Sequence, residues 1–198
     1  MSETVIVKAA EIADIFRATG AFLEGHFILS SGLHSPNYMQ CAKVLQHPEH
    51  SERFAKALAA KLQGLAPTAV LAPALGGILV GYELARALKV RSIFAERVDG
   101  VMTLRRGQEI RSGERLVLCE DVVTTGKSIK EVEALVLAAG ATVVAMAAIV
   151  DRSGGKWSLS LPLTSLLTMK LETHPAEACP MCAAGSVAIK PGSRPTPS

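Results

Sequence analysis

The chain is poor in aromatic residues, with five Phe, two Tyr and one Trp among 198 positions. Its interior must therefore be filled mainly by Ala, Val and Leu, a balance that suits a sheet covered by helices. It also lacks any apolar run close to the roughly 20 residues that a membrane helix needs. The richest stretches are interrupted by Pro73, Gly76 and Gly77 or end early. The opening, "MSETVIVKAAEIADIF", has acidic side chains and helical spacing where a secretory leader has a basic start, an apolar run and a small-residue cleavage site. Cysteine is scarce: four residues, two far apart and two in a single Cys-x-x-Cys, make no disulfide framework. Charge of one sign is missing too, since a net +3 gives no reason to expect nucleic acid, although it suits a phosphorylated or carboxylate-bearing small substrate. The expectation is a cytoplasmic protein without membrane or nucleic-acid partners. One domain is expected over residues 1–185, followed by a Pro/Ser-rich flexible tail at 186–198.

A further absence concerns the stretch "EDVVTTGKS", residues 120–128, which ends like a nucleotide-binding P-loop. A P-loop needs a glycine where this chain has Asp121, so that the backbone can curl round a row of phosphates. A carboxylate there, next to Glu120, repels a triphosphate.

What is present is an alternation of helices and strands. Ile6, Ala9, Ile12, Ala13 and Phe16 recur at helical spacing up to Gly20. "HFILSSGLHSPNYMQC" reads as a hairpin or irregular ribbon, and Pro48 opens a second helix over 48–63. "TAVLAPA" predicts a buried strand, "GGILVGYELARAL" a helix and "VRSIFAE" a strand. Residues 97–114 are polar and glycine-containing, either a mobile loop or a protruding hairpin. Then follow the strand "RLVLCEDVV", the helix "GKSIKEVEALVLAAG" and the strand "TVVAMAAIVD". This order implies a parallel sheet wound by right-handed crossovers, with the loops at 73–77, 97–114, 120–128 and 151–156 gathered at the carboxyl edge where ligands bind.

Thr124, Thr125, Gly126, Lys127 and Ser128 form a turn whose backbone N–H groups converge at the start of a helix. One phosphate fits there, gaining roughly 0.3–1 kcal/mol from the helix end and about 1.5–3 kcal/mol for each charge-assisted hydrogen bond. Glu120 and Asp121, a few residues upstream, are acceptors suited to the vicinal hydroxyls of an attached ribose. The stretch describes a ribose 5-phosphate site.

The run Val117-Leu118-Cys119-Glu120-Asp121-Val122-Val123-Thr124-Thr125-Gly126-Lys127-Ser128 resembles the phosphoribosyl diphosphate signature of type I phosphoribosyltransferases. "GHFILSSGLHSPNYMQC" and "VDRSGG" narrow the resemblance to the orotate phosphoribosyltransferases, over roughly residues 20–155. The resemblance implies an α/β fold with a central parallel sheet of about five strands flanked by helices, under a small hood built mainly from 20–45. It implies transfer of ribose 5-phosphate from phosphoribosyl diphosphate to orotate, giving orotidine 5'-phosphate and pyrophosphate in pyrimidine biosynthesis, by a homodimer. The cofactor it implies is Mg2+, held mainly through the substrate with Asp121 as a possible ligand. Residues Glu120 to Ser128 would bind phosphoribosyl diphosphate, and Leu75, Gly76, Gly77 and Arg97 would lie on the pyrophosphate side. Tyr38, Met39, Thr124 and Arg152 would bind orotate. Asp121, Arg97 and Arg105 would be catalytic, with Arg106 beside them on a mobile loop over 97–114. Family members carry lysines where this chain has Ser30 and Gly76, and Lys and His in the loop where it has only arginines.

Two other readings stand beside this one. A purine or uracil phosphoribosyltransferase is disfavoured by "SSGLHSP" and Arg152. A non-catalytic phosphoribosyl-diphosphate-binding regulator of nucleic acid is disfavoured by the small net charge and the lack of an added DNA-binding helical domain.

"HPAEACPMC" lies outside this scheme. Cys179 and Cys182 supply half a zinc site, to which His174 could add a third ligand and Cys41, or a partner chain, a fourth. A redox pair and a plain terminal turn are the alternatives. His26 and His47 read as structural or surface residues, His34 as either functional or solvent-facing, and Cys119 as core.

Overall fold

The structure, a computed structural model, describes residues 7–29, 31–155 and 160–191. Ile6, Ser30, Lys156 and the tail beyond residue 191 lie outside the described residues.

A six-stranded sheet forms the centre, in the order β5-β4-β3-β6-β7-β8. Its strands are β3 (Ala69–Pro73), β4 (Arg91–Val98), β5 (Val101–Leu104), β6 (Arg115–Val123), β7 (Thr142–Asp151) and β8 (Leu163–Thr168). Five run parallel, while β5 turns back antiparallel on β4 through Asp99 and Gly100. The polar stretch at 97–114 is therefore a short edge hairpin followed by irregular backbone.

The middle strands are apolar on both faces because helices cover both faces. Their residues split by the two-residue period of a strand. Val70, Val117, Cys119, Ala145 and Ala147 join one core, with α1 (Ala9–Ala18), α2 (Cys41–Leu45), α3 (Pro48–Lys61) and α4 (Gly76–Leu88). Leu71, Leu116, Leu118, Met146 and Ala148 join the other, against Ile129, Val132 and Val136 of α5 (Lys127–Ala138). Phe16, Phe54, Leu58 and Leu84 complete the first core and are almost wholly buried.

The sheet has a topological switch point. From β3 the chain moves outward to β4, and β6 then lands on the other side of β3. Two loops consequently open at the carboxyl edge between neighbouring strands, Ala74–Gly76 after β3 and Thr124–Gly126 after β6.

Above this edge stands a separate antiparallel ribbon of β1 (Phe22–Ile28) and β2 (His34–Met39). A two-stranded ribbon is at best marginally stable alone. This one is extended by the C-terminal segment: His34 and His174 exchange both backbone hydrogen bonds at 2.8 Å, and Ile189 accepts from Ile28 and donates to His26. The hood thus draws on both ends of the chain, with Ile189, in the Pro/Ser-rich C-terminal stretch, bonded through its backbone to β1.

Candidate functional site

A cleft of about 1060 Å³ lies between the hood and the carboxyl edge of the sheet. Its floor is the β6–α5 stretch from Glu120 to Ile129. Leu75, Gly76 and Leu79 form one wall, Tyr38 to Ala42 and Arg152 to Gly154 the other, and Lys170, Leu171 and Thr173 close the far side.

The floor follows from local sequence. Leu116 to Cys119 anchor β6 in both cores, so the strand runs rigidly until Glu120 and Asp121 emerge at its end. Gly126 then takes φ of 74°, a left-handed conformation that glycine adopts without steric cost, and α5 begins at the next residue. No side chain caps α5, leaving its first N–H groups directed at the cleft, save that Lys127 N–H reaches Thr125 Oγ1 at 3.4 Å. Thr124, Thr125 and Lys127 are exposed there.

The acid pair is electrostatically uncomfortable. Burial, reinforced by the neighbouring Asp121, holds the Glu120 carboxyl well above its ordinary range. Burial also raises Asp121, against the Val122 amide and the Glu120 and Cys41 side chains, whose hydrogen bonds favour its anion. Cys41, at the start of α2, is itself raised by burial and by Asp121. Burial, not a basic side chain, is the leading cause of the shift of either carboxyl. The pair is built to receive hydroxyl donors or a cation brought by a ligand.

Gly76 and Gly77 let this happen. A Cβ at Gly76 would lie 2.7 Å from Asp121 Oδ1, and one at Gly77 would lie 3.1 Å from both Cys119 O and Glu120 Oε1. The preceding Ala74–Leu75 peptide is cis, and Leu75 is 84% exposed at the mouth.

The other end of the cleft carries positive charge. Arg152 N–H donates to Val123 O at 2.8 Å, fixing the residue beside the phosphate turn. Among the described residues, its Nε is buried without a partner. Burial lowers its pKa, opposed by Tyr38 and Cys41, and Tyr38 is raised by burial against the pull of Arg152. A buried guanidinium edge facing a phenol is a receptor for a planar anion.

The structure therefore brings together Tyr38, Met39, Leu75, Gly76, Glu120, Asp121, Val122, Val123, Thr124, Thr125, Gly126, Lys127, Ser128 and Arg152 around one cleft. Gly77 lies just behind it. The loop arginines are elsewhere: Arg97 is paired with Glu131 and donates to Gly100 O at 2.9 Å, while Arg106 and Arg105 reach Glu96 at 3.0 and 4.0 Å. None of the three lines the cleft. Cys41, Gln40, Lys170 and Thr173 do so without having been singled out as binding residues. Gln40 and Cys41, the last two residues of the resembling N-terminal segment, carried a signal; Lys170 and Thr173 carried none.

Residues 41–168 match the family model described as the phosphoribosyl transferase domain. An orotate phosphoribosyltransferase of Heliobacterium modesticaldum is 54% identical over 187 residues, spanning 93% of this chain and 97% of that protein. One of Pelotomaculum thermopropionicum is 52% identical over 184 residues, again 93% and 97%. Among solved structures, the orotate phosphoribosyltransferase from Aeropyrum pernix aligns with a TM-score of 0.68 at 26% identity, covering 80% of this chain and 93% of that one.

Proposed function

The chain belongs to the orotate phosphoribosyltransferases of the phosphoribosyl transferase domain family, and from that premise we propose how its own residues carry the reaction. The reaction joins orotate to the ribose 5-phosphate of phosphoribosyl diphosphate, releasing pyrophosphate and giving orotidine 5'-phosphate. The fold is of the type I phosphoribosyltransferase kind.

The observation that carries the assignment of roles is the order of groups along one cleft: an uncapped helix start, a half-buried acid pair whose carboxyls are raised, and a buried arginine edge. The 5-phosphate sits on the Thr124–Ser128 turn. The ribose hydroxyls donate to Glu120 and Asp121, which brings both carboxylates back toward their ionised forms. Orotate lies between Tyr38, Met39 and Thr124, with its carboxylate on Arg152. The close approach allowed by Gly76 and Gly77 leaves room for the pyrophosphate against the Leu75–Gly77 backbone.

Orotate is already anionic, so its ring nitrogen attacks C1 of the ribose without a strong protein base. The demanding event is departure of pyrophosphate from a carbon that becomes oxocarbenium-like, which calls for positioning and a prearranged field. Asp121, ionised once ribose is bound, places negative charge beneath that carbon. An oxygen-rich ligand set of one or two carboxylates plus substrate phosphates and hydroxyls is the usual environment of Mg2+, and Asp121 fits as its protein ligand. When bound, Mg2+ neutralises charge on the departing pyrophosphate. Arg97 and Arg105, with Arg106 alongside, would complete the site by closure of the 97–114 segment, delivered from a neighbouring subunit.

A homodimer is supported by Leu75, Leu79 and Tyr82, which lie along one side of α4 and its approach and are all exposed. No described helix is long and apolar enough to cross a membrane, and we place the enzyme in the cytoplasm.

The deciding experiment offers purified protein Mg2+ and phosphoribosyl diphosphate with orotate, uracil, adenine, hypoxanthine or guanine, following nucleotide and pyrophosphate. Product with orotate alone is expected. Product with a purine or with uracil instead would overturn the assignment.

A further inference from the structure

The hood holds a second chemical centre outside the cleft. His26 and Cys179 are buried, His34 is buried beside them, and Cys182 stands at the rim. The four offer donor atoms that all lie within 4.8 Å of one another.

Each donor is placed by a distinct local device. The β1–β2 register shifts between Glu24 and Phe27, a bulge that re-aims His26. His34 opens β2 opposite Ile28 and is clamped through its backbone to His174. Cys179 precedes α6 (Pro180–Ala183) and Cys182 lies within it, so one turn brings both sulfurs to the same side. Ala183 N–H closes that turn on Cys179 O at 3.1 Å.

The distances are those of a coordination shell. His26 Nε2 lies 2.8 Å from His34 Nδ1, 3.4 Å from Cys179 Sγ and 3.8 Å from Cys182 Sγ. Cys182 Sγ lies 3.4 Å from His34 Nδ1. Tetrahedral zinc with ordinary Zn–N and Zn–S bonds sets its ligand atoms about 3.3–3.8 Å apart. The two imidazole nitrogens would have to separate slightly, and the widest spacing in the group, within 4.8 Å, would have to close. Three neighbours converge on the single lone pair of His26 Nε2, more than hydrogen bonding can satisfy.

The tautomer is also set. His26 Nδ1 lies 3.1 Å from Ser186 O, and because a carbonyl only accepts, that nitrogen carries the hydrogen. Nε2 is thereby left as a bare ligand, the outer-shell arrangement typical of metal-bound histidine. Both cysteines are free thiols.

We propose that His26, His34, Cys179 and Cys182 form a structural tetrahedral Zn2+ site that fastens the C-terminal segment to the hood. Two nitrogens and two thiolates select zinc over the hard cations, and four protein ligands leave no open position for catalysis. The ligand set differs from the one the sequence suggested. His174 turns its Nε2 to Glu172 at 3.0 Å and contributes only backbone, while Cys41 lies in the cleft against Asp121. Since β2 ends at Tyr38 and Met39, the metal holds the orotate side of the cleft in place and leaves the phosphate turn untouched.

The test measures metal by elemental mass spectrometry on the untagged full chain, purified under reducing, chelator-free conditions, then exchanges it for Co2+. One zinc per chain is expected, with Co2+ giving the visible bands of a tetrahedral site and thiolate charge transfer. His26→Ala, His34→Ala, Cys179→Ser and Cys182→Ser should each lose the metal, and His174→Ala should keep it. Chelation of the wild-type protein should lower Tm by about 5 °C or more and raise the KM for orotate more than that for phosphoribosyl diphosphate. A wild-type chain that neither contains zinc nor binds Co2+ would overturn the proposal, independently of how any variant folds. So would metal retained by the double Cys179→Ser, Cys182→Ser variant, or a Cys179–Cys182 disulfide in the native protein.

Discussion

Gly76 and Asp121 meet across the switch point of the sheet, so closely that a Cβ on the glycine would stand 2.7 Å from Oδ1 and 2.8 Å from Oδ2 of the aspartate. Both oxygens would have to yield to any side chain, and the Asp121 carboxyl is already engaged by Glu120 and Cys41. Gly76→Ala should therefore act on Asp121. Activity should fall roughly tenfold, equivalent to about 1.4 kcal/mol of misplacement, with KM for phosphoribosyl diphosphate raised and KM for orotate little changed. Steady-state kinetics against each substrate would check the split; equal rises in both would contradict it.

The acid pair imposes a pH dependence whose sign is opposite to that of a salt-bridged carboxylate. Because the folded-state pKa of Glu120 lies above its unfolded value, the folded chain binds more protons between the two. Stability of the ligand-free protein therefore declines as pH rises from the ordinary glutamate pKa through the raised one. Glu120→Gln removes that decline, so its Tm at neutral pH should exceed the wild-type value and its melting curve against pH should flatten. Phosphoribosyl diphosphate binding should weaken by about 10- to 100-fold, the cost of a charge-assisted hydrogen bond. Calorimetry across the pH range tests both halves. A variant less stable than wild type at neutral pH would show that the carboxylate is stabilising as it stands.

How far the sequence anticipates these features depends on how local they are. The bounds of β6 and β7 coincide with the stretches expected there, because Leu116–Cys119 and Val143–Val150 are unbroken apolar runs of strands covered on both faces. The phosphate turn is likewise legible, being assembled from consecutive residues around Gly126. By contrast β8, "LTSLLT", carries three hydroxyl residues among six and gives no strand signal, and β5 hides inside a polar stretch. The Cys41–Asp121 contact joins the start of α2 to the end of β6, with α3, β3, α4, β4 and β5 between them in sequence. The cluster of His26, His34, Cys179 and Cys182 depends on a bulge and on a C-terminal segment folding back along β1. Neither event leaves a pattern in hydrophobic periodicity, since the bonds that hold the segment are backbone bonds available to any residue.

Arg152 offers a sharper probe of base recognition. Its Nε is buried and unpartnered, so its removal costs the ligand-free protein no hydrogen bond at that atom. Arg152→Gln should fold with unchanged or slightly higher Tm. Its KM for orotate should rise roughly 10- to 100-fold through loss of charge-assisted bonds to the carboxylate. Arg152→Lys should recover only part, because a point charge cannot reproduce the planar fork. Equal activity of the Lys and Arg forms would move the carboxylate contact to another residue.

The arginines at 97–106 stand apart from the cleft in the single chain, and mixing variants decides whether they reach a neighbour's site. In the proposed homodimer, Asp121→Asn and Arg97→Ala proteins should each be nearly inactive. In a hybrid of the two, a loop that crosses the dimer gives one site its native Asp121 together with the partner's native Arg97. The other site carries both defects. Random remixing makes half of the dimers hybrid with one good site in two, so roughly a quarter of wild-type activity should return. A loop that serves its own subunit leaves every site with one defect, and no activity returns on mixing. Arg105→Ala in place of Arg97→Ala extends the same experiment, assigning the crossing charge to whichever arginine supports complementation.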